Sequence, residues 1–228
     1  MIITAISDTH NKHDFLKDHL IEGDLIVCAG DISGRGFKQE LINFCKWFDQ
    51  TKYKYKVFIA GNHDFCFQDS PEECKKILKD YNIIYLQDDL YVLGDDYNNS
   101  VKIYGSPWQP EFYNWAFNLP RNSQELYQRW NNISDNTDIL ITHGPSSGHL
   151  DKIQGLNENI GCGLLSSRIE KLKPKIHIFG HIHSGYGYEF NGITHYFNAS
   201  ILNEKYEFSQ KPFSFNWNKE TNEINFIN

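Results

Sequence analysis

Five short apolar runs constrain this chain more than any other feature, because each leads at once into a short polar segment carrying groups able to hold a metal ion. Ile2 to Ile6 runs into Ser7-Asp8-Thr9-His10, and Leu25 to Ala29 into Gly30-Asp31. Val57 to Ala60 leads to Gly61-Asn62-His63-Asp64, Ile139 to Thr142 to His143-Gly144-Pro145, and Ile176 to Phe179 to Gly180-His181-Ile182-His183. Runs of this length and composition read as strands. In an open α/β sheet the carboxyl ends of the strands face one crevice, so loops far apart in sequence converge there. Gly30, Gly61 and Gly180 are expected where the chain turns sharply off a strand, a place for positive φ.

Helical patterns separate the runs. Lys38 to Asp49 and Pro71 to Asp80 read as helices, the second with Ser70 as N-cap and Pro71 at the first helical position. Gly163 to Lys173 reads as a third, stopped by Pro174. Tyr186 to Phe190 and Ile193 to Asn198 flank Asn191-Gly192, a strong hairpin dipeptide. The pattern is α/β with added antiparallel strands.

Composition bounds the possibilities. A chain of 228 residues, 40% hydrophobic and 22% charged, suits a single domain spanning 1–228 with its own core. A net charge of −7 argues against an extended nucleic-acid surface, since such binding is driven by dense Lys and Arg. The runs Lys52, Lys54, Lys56 and Lys171, Lys173, Lys175 read as solvated faces. Cys28, Cys45, Cys66, Cys74 and Cys162 form no C-x-x-C pair and are expected to be free thiols of a reducing compartment. With no basic leader and no membrane-length apolar run, a cytoplasmic location is expected.

Taken singly the five endings are weak signals; together they are not. D-x-H, G-D, G-N-H-D, a histidine before Gly-Pro and G-H-x-H, in this order, resemble the calcineurin-like metallophosphoesterase superfamily over residues 2 to about 200. Tyr104-Gly105-Ser106-Pro107-Trp108, Trp115 to Arg121, Thr142 to Pro145, Gly161-Cys162 and Phe179 to His183 resemble a subfamily of metallophosphoesterase-domain proteins described as class III cyclic nucleotide phosphodiesterases. The resemblance implies a four-layer αββα sandwich. It implies that Asp8, His10, Asp31 and His183 bind one divalent cation and Asp31, Asn62, His143 and His181 another. Asp31 would bridge the two, with a water or hydroxide opposite. His63 would contact the phosphate and protonate the leaving oxygen, with Asp64 orienting it.

The chemistry is consistent with that implication. Two divalent cations outweigh two carboxylates and one hydroxide, so the site keeps a positive field within an acidic protein. Ions about 3.5–4 Å apart can clamp the attacking and developing oxygens of an in-line displacement. The mixed oxygen and nitrogen donors suit Mn, with Fe, Zn, Co or Ni as alternatives, over Ca or an all-oxygen Mg cage. Arg35, in Gly30-Asp31-Ile32-Ser33-Gly34-Arg35-Gly36, is similar to the phosphate-gripping arginine of phosphoprotein phosphatases, or else is a solvent-facing loop residue. Trp108 and Trp115 are candidate walls of a nucleobase-sized pocket, with a core role as the alternative. His177, inside an apolar run, reads as a hydrogen-bonded core residue.

The leading expectation is a phosphodiesterase for a small phosphoester such as a cyclic nucleotide. A phosphomonoesterase or protein phosphatase, a nuclease, and a non-catalytic scaffold with the same fold are the alternatives; the completeness of the ligand set disfavours the scaffold.

Overall fold

Neighbouring residues in the apolar runs serve different cores, and that alternation builds the layers. The computed structural model describes residues 1–227 except 95–99, 154, 156 and 157. Strands β1 (Ile2–Ile6), β2 (Gly23–Cys28), β3 (Tyr53–Phe58) and β4 (Ile84–Tyr85) come first. After them lie β5 (Asp89–Leu93), β6 (Val101–Ser106) and the short pair β7 (Gln109–Pro110) and β8 (Asn118–Leu119). Next are β9 (Ile139–Thr142), β10 (Ile176–Phe179), β11 (Gly187–Phe190), β12 (His195–Asn198), β13 (Phe213–Asn218) and β14 (Glu223–Phe226).

Two six-stranded sheets result, ordered β14-β13-β1-β2-β3-β4 and β11-β12-β10-β9-β6-β5. β1 to β4 pair in parallel, as do β6, β9, β10 and β12, while the outer strands β13, β14, β5 and β11 are antiparallel to their neighbours. Ile6 is level with Cys28, and Cys28 with Phe58. The three loops that follow therefore start at one height.

Ile3, Ala5, Leu25 and Val27 meet Ile139, Ile141, Ile176, Ile178 and Phe197 in a core between the sheets. The residues between them, Ile6, Ile26, Cys28 and Phe58, face outward into a second core under α1 (Lys38–Asp49), α2 (Phe65–Asp69) and α3 (Pro71–Leu78). Leu140 and Phe179 do the same for the other sheet, under α4 (Gln124–Asn131) and α5 (Gly163–Leu172). Burial on both faces explains why these strands are apolar throughout. Each fully buried aromatic, such as Phe44 or Phe48, contributes about 1.5–3 kcal/mol. The architecture is a four-layer αββα sandwich.

Several boundaries differ from expectation. β3 begins four residues early, at Tyr53, so Lys56 is a buried strand residue and not part of a solvated face. Ser70 precedes α3, but its hydroxyl makes no capping bond; its carbonyl instead accepts from Glu73 and Cys74 N–H. Lys173 adopts φ 52°, a left-handed residue that ends α5 before Pro174. α4 is capped by Ser123, whose Oγ accepts from Leu126 N–H at 3.1 Å. All five cysteines are buried free thiols. Among the described residues, no helix is long and apolar enough to cross a membrane.

Candidate metal centre

Backbone conformation places the donors before any side chain does. Asp8, His10, Asp31 and His181 have φ of 56°, 40°, 52° and 70°, in the left-handed region. Each such residue costs on the order of 1 kcal/mol, and a cluster of them is a mark of function. Of the three glycines expected at positive φ, only Gly30 has it, at 99°. Gly61 and Gly180 serve a different purpose: a Cβ on them would collide with Asp31 Oδ1 and Asp8 Oδ2. Here glycine allows one loop to press against the carboxylate of another.

All seven expected ligands converge. Asp31 Oδ2 lies 3.6 Å from His10 Nε2, 3.4 Å from His143 Nε2 and 4.0 Å from His63 Nε2. Asp8 Oδ1 is 3.5 Å from His183 Nε2. Asn62 Oδ1 is 2.9 Å from His143 Nε2, and the His181 ring lies 5.0 Å from that of His143. Three overlapping groups, Asp8-His10-His183, His10-Asp31-His63 and Asp8-Asp31-His143, are compact enough to hold an ion. Asp8, His10 and Asp31 each belong to two of them.

A second ring of partners aims these donors. Nδ1 of His10, His143 and His183 donates to the carbonyls of Ser33, Ala29 and Asn203 at 3.1, 2.8 and 2.9 Å. That choice of tautomer turns each Nε2 lone pair inward, the usual support for a metal-bound imidazole. Asp8 accepts from Ser200 Oγ at 2.7 Å and from His181 N–H. His143 Nε2 thus faces two oxygens, Asn62 Oδ1 and Asp31 Oδ2. A cation satisfies that arrangement, so the residues present fit a divalent metal.

The electrostatics agree. Burial would lower the buried His143, but the Asp31 carboxylate overrides it and pushes His143 up to about 9. His183 is likewise lowered by burial but raised by Asp8, to about 9. Burial would raise Asp8, yet His183, His143 and His10 hold it well below the usual carboxylate range. Burial, then the neighbouring His143, pushes His181 down to about 3, which keeps its imidazole neutral. The carboxylates therefore create a field that attracts positive charge.

His63 stands at the edge of the cluster. Its Nδ1 donates to Gly34 O at 2.8 Å, and its ring stacks on Trp115 with centroids 4.1 Å apart. Asp64 does not orient that ring, contrary to expectation. It accepts from Ile32 N–H, Ser33 N–H, Ser33 Oγ and Gly61 N–H, tying the Asp31 loop to the Asn62 loop. Burial and then Asp31 push Asp64 up to about 6, against these four donors. The orienting carbonyl of Gly34 is instead fixed by Glu40, which accepts from the N–H groups of Gly34, Arg35 and Phe37. The sequence reading passed over Glu40, whose signal was a carboxylate three residues after the helix N-cap.

Neither substrate candidate, Arg35 or Trp108, lines the cleft at the cluster. Arg35 is exposed and does not line the cleft at the cluster. Trp108 is also absent from that cleft: Nε1 donates to Asp88 at 2.7 Å, and the Arg129 guanidinium lies 4.2 Å above its ring. This is a structural knot, because Arg129 also pairs with Asp88 at 2.8 Å. Trp115, Phe112, Tyr113 and Tyr206 supply the aromatic wall. Tyr206 stands on a loop with no motif, and no signal in the sequence marks it.

His177 is buried, with Nε2 2.8 Å from Thr142 Oγ1, which itself donates to Gly144 O at 2.7 Å. The imidazole is therefore the donor to Thr142. Its Nδ1 has no partner, so the expected pairing is only half met. Burial pushes His177 down to about 3, so the unfolded chain takes a proton first as pH falls. Its contribution is complete above about pH 6.5 and is lost below it by up to ~1.4 kcal/mol per pH unit. The stability gap between wild type and His177→Asn in urea melts should narrow from pH 7 to pH 5; a gap independent of pH would contradict this.

Fold and ligand set together define a metal-dependent phosphoester hydrolase. The sequence profile of the family described as calcineurin-like phosphoesterase matches residues 1–185, and the chain belongs to that family. It is 38% identical to human metallophosphoesterase domain-containing protein 1 over 89% of this chain and 67% of that protein. A UPF0046 protein of Caenorhabditis elegans is 36% identical over 92% of this chain, which spans 58% of that relative. In fold it is similar to a protein of Thermus thermophilus, with a TM-score of 0.64, 14% identity and coverage of 100% and 98% of the two chains. It is also similar to the phosphopantetheinyl hydrolase of Mycobacterium tuberculosis, with a TM-score of 0.58, 12% identity and coverage of 89% and 90%.

Proposed function

We propose that this hydrolase is a phosphodiesterase for small phosphodiesters, cyclic nucleotides among them. The supporting observation is the wall of the cleft at the ligand cluster. Besides Asp31, Asn62 and the histidines, Phe65, Phe112, Tyr113, Asn114, Trp115 and Tyr206 line it, without a lysine or arginine among the described residues. A monoester, with up to two charges, gains from a guanidinium fork; a diester carries one charge and a second substituent, which an aromatic wall receives. Arg121, in the adjoining cleft, donates to the carbonyls of Gly161 and Ile160 at 3.0 and 2.9 Å.

Asp8, His10, Asp31 and His183, and Asp31, Asn62, His143 and His181, would hold two divalent cations. When bound, these supply the charge that activates water and stabilises the phosphoryl oxygens. His63, fixed through Nδ1, presents Nε2 to the cleft and gives its proton to the leaving oxygen. Trp115 stacks on the imidazole and shields one face from water. Asp31 Oδ1 accepts the His63 backbone N–H at 2.8 Å, so acid and bridging ligand move as a unit.

A metal-swept assay of the purified protein tests the reading. Hydrolysis of bis(p-nitrophenyl) phosphate should exceed that of p-nitrophenyl phosphate, and Trp115→Ala should lower diester turnover more than Trp108→Ala. A monoester preference that disappears in Arg35→Ala would move the protein to the phosphatase alternative. Chelation should remove activity, and Mn²⁺ should restore it at least as well as Mg²⁺, because imidazole and amide donors favour transition metals. Restoration by Mg²⁺ or Ca²⁺ alone would contradict the manganese assignment.

A further inference from the structure

A second cleft, of about 470 Å³, adjoins the first. Phe112, His181, His183 and Tyr206 line both and form the ridge between them, whereas His63 and Trp115 line only the first. The second is walled largely by Pro110, Phe112, Pro145, Ile153, Ile160 and Ile182. One polar group in it stands out. Gln109 is 1% exposed, its Nε2 donates to Asn118 Oδ1 at 3.1 Å, and its Oε1 has no hydrogen-bond partner. A buried amide oxygen left unpaired is costly, and a ligand donor would satisfy it. Gly144 lies beside both Gln109 and His181: a Cβ there would be in ordinary contact, 3.6 Å from Gln109 Cβ and 3.9 Å from Gln109 Oε1 and His181 Cδ2.

We propose that the second cleft binds the ester arm that stays on phosphorus, and that this arm is apolar with one hydrogen-bond donor seated on Gln109 Oε1. The leaving arm occupies the Trp115 cleft, beside the His63 proton. The inference rests on the phosphodiesterase reading. In the reaction a bond forms from water oxygen to phosphorus and the bond from phosphorus to the leaving oxygen breaks. That oxygen takes the His63 proton, and one water proton restores His63. The substrate has two separate arms; a cyclic diester, with both ester oxygens on one sugar, fills one cleft only.

The test is a series of p-nitrophenyl alkyl phosphodiesters on the metal-loaded protein, with a constant leaving group and a retained arm growing from methyl to butyl. In the wild type kcat/KM should rise about two- to fourfold per methylene. A terminal hydroxyl should raise it further, by about five- to tenfold at one chain length. Gln109→Met should erase the hydroxyl gain and keep the alkyl gradient, Ile160→Asp should flatten the gradient, and Trp115→Ala should leave its slope intact. Measurable diester hydrolysis with a flat wild-type series overturns the proposal without relying on any variant. A slope that follows Trp115 and not Ile160 means the arms are reversed and also overturns it. Monoester hydrolysis with no diester hydrolysed overturns the underlying reading, and this one with it.

Discussion

Asp31→Asn is expected to lower kcat/KM by at least about 10³-fold and to reduce the number of tightly bound ions. Loss of one fixed electrostatic contact to a transition state typically costs about 10²–10³-fold. Asp31 has more to lose, since one carboxylate oxygen faces His10, His63 and His143 Nε2 within 4.0 Å. The amide keeps the shape and removes the charge, so the loss is of metal affinity and not of packing. Burial would raise this carboxyl, but His143, His10 and His63 hold it far below the ordinary range, so the wild-type group is ionised at any working pH. Elemental analysis alongside steady-state rates decides the matter. Two tightly held ions in the mutant would refute the bridging role.

His63→Ala should do the opposite to the metals: both ions stay, while the rate falls about 10²- to 10⁴-fold, the usual range for general acid catalysis. The imidazole lies 4.0 Å from Asp31 Oδ2 but is held from outside the cluster, by Gly34 O and the Trp115 face. The leaving group discriminates between roles. A p-nitrophenyl ester expels a stable anion and needs little protonation, so its loss should be smaller than that of an alkyl ester. Equal losses would make His63 a charge or positioning residue for the phosphate.

The candidate ligand set could be proposed from the sequence because the chemistry is local. Each candidate metal-binding group sits within a few residues of the end of a parallel strand, and the largely apolar runs declare those strands. Asp8, His10, Asp31, Asn62, His143, His181 and His183 could be assigned from the order of their motifs, through the family resemblance. Long-range partners left no such mark. The C-terminal hairpin, β13 and β14, pairs with β1 across more than two hundred residues of chain, and its alternating Phe213-Ser214-Phe215-Asn216-Trp217 was not read as a strand.

What the sequence by itself determined was therefore the central strands and the polar groups at their ends, since both are properties of short segments, while the four layers were what the resemblance implied. Only the tertiary structure decided how those donors are aimed and what stands beside them. Trp108 and Trp115 are alike in sequence, yet Asp88 and Arg129 claim the first and His63 the second. Asp64 follows His63 in the chain but bonds the Asp31 loop, while the carbonyl that orients His63 comes from Gly34. Those choices depend on distances between segments far apart in the chain, and such distances exist only once the sheets have packed.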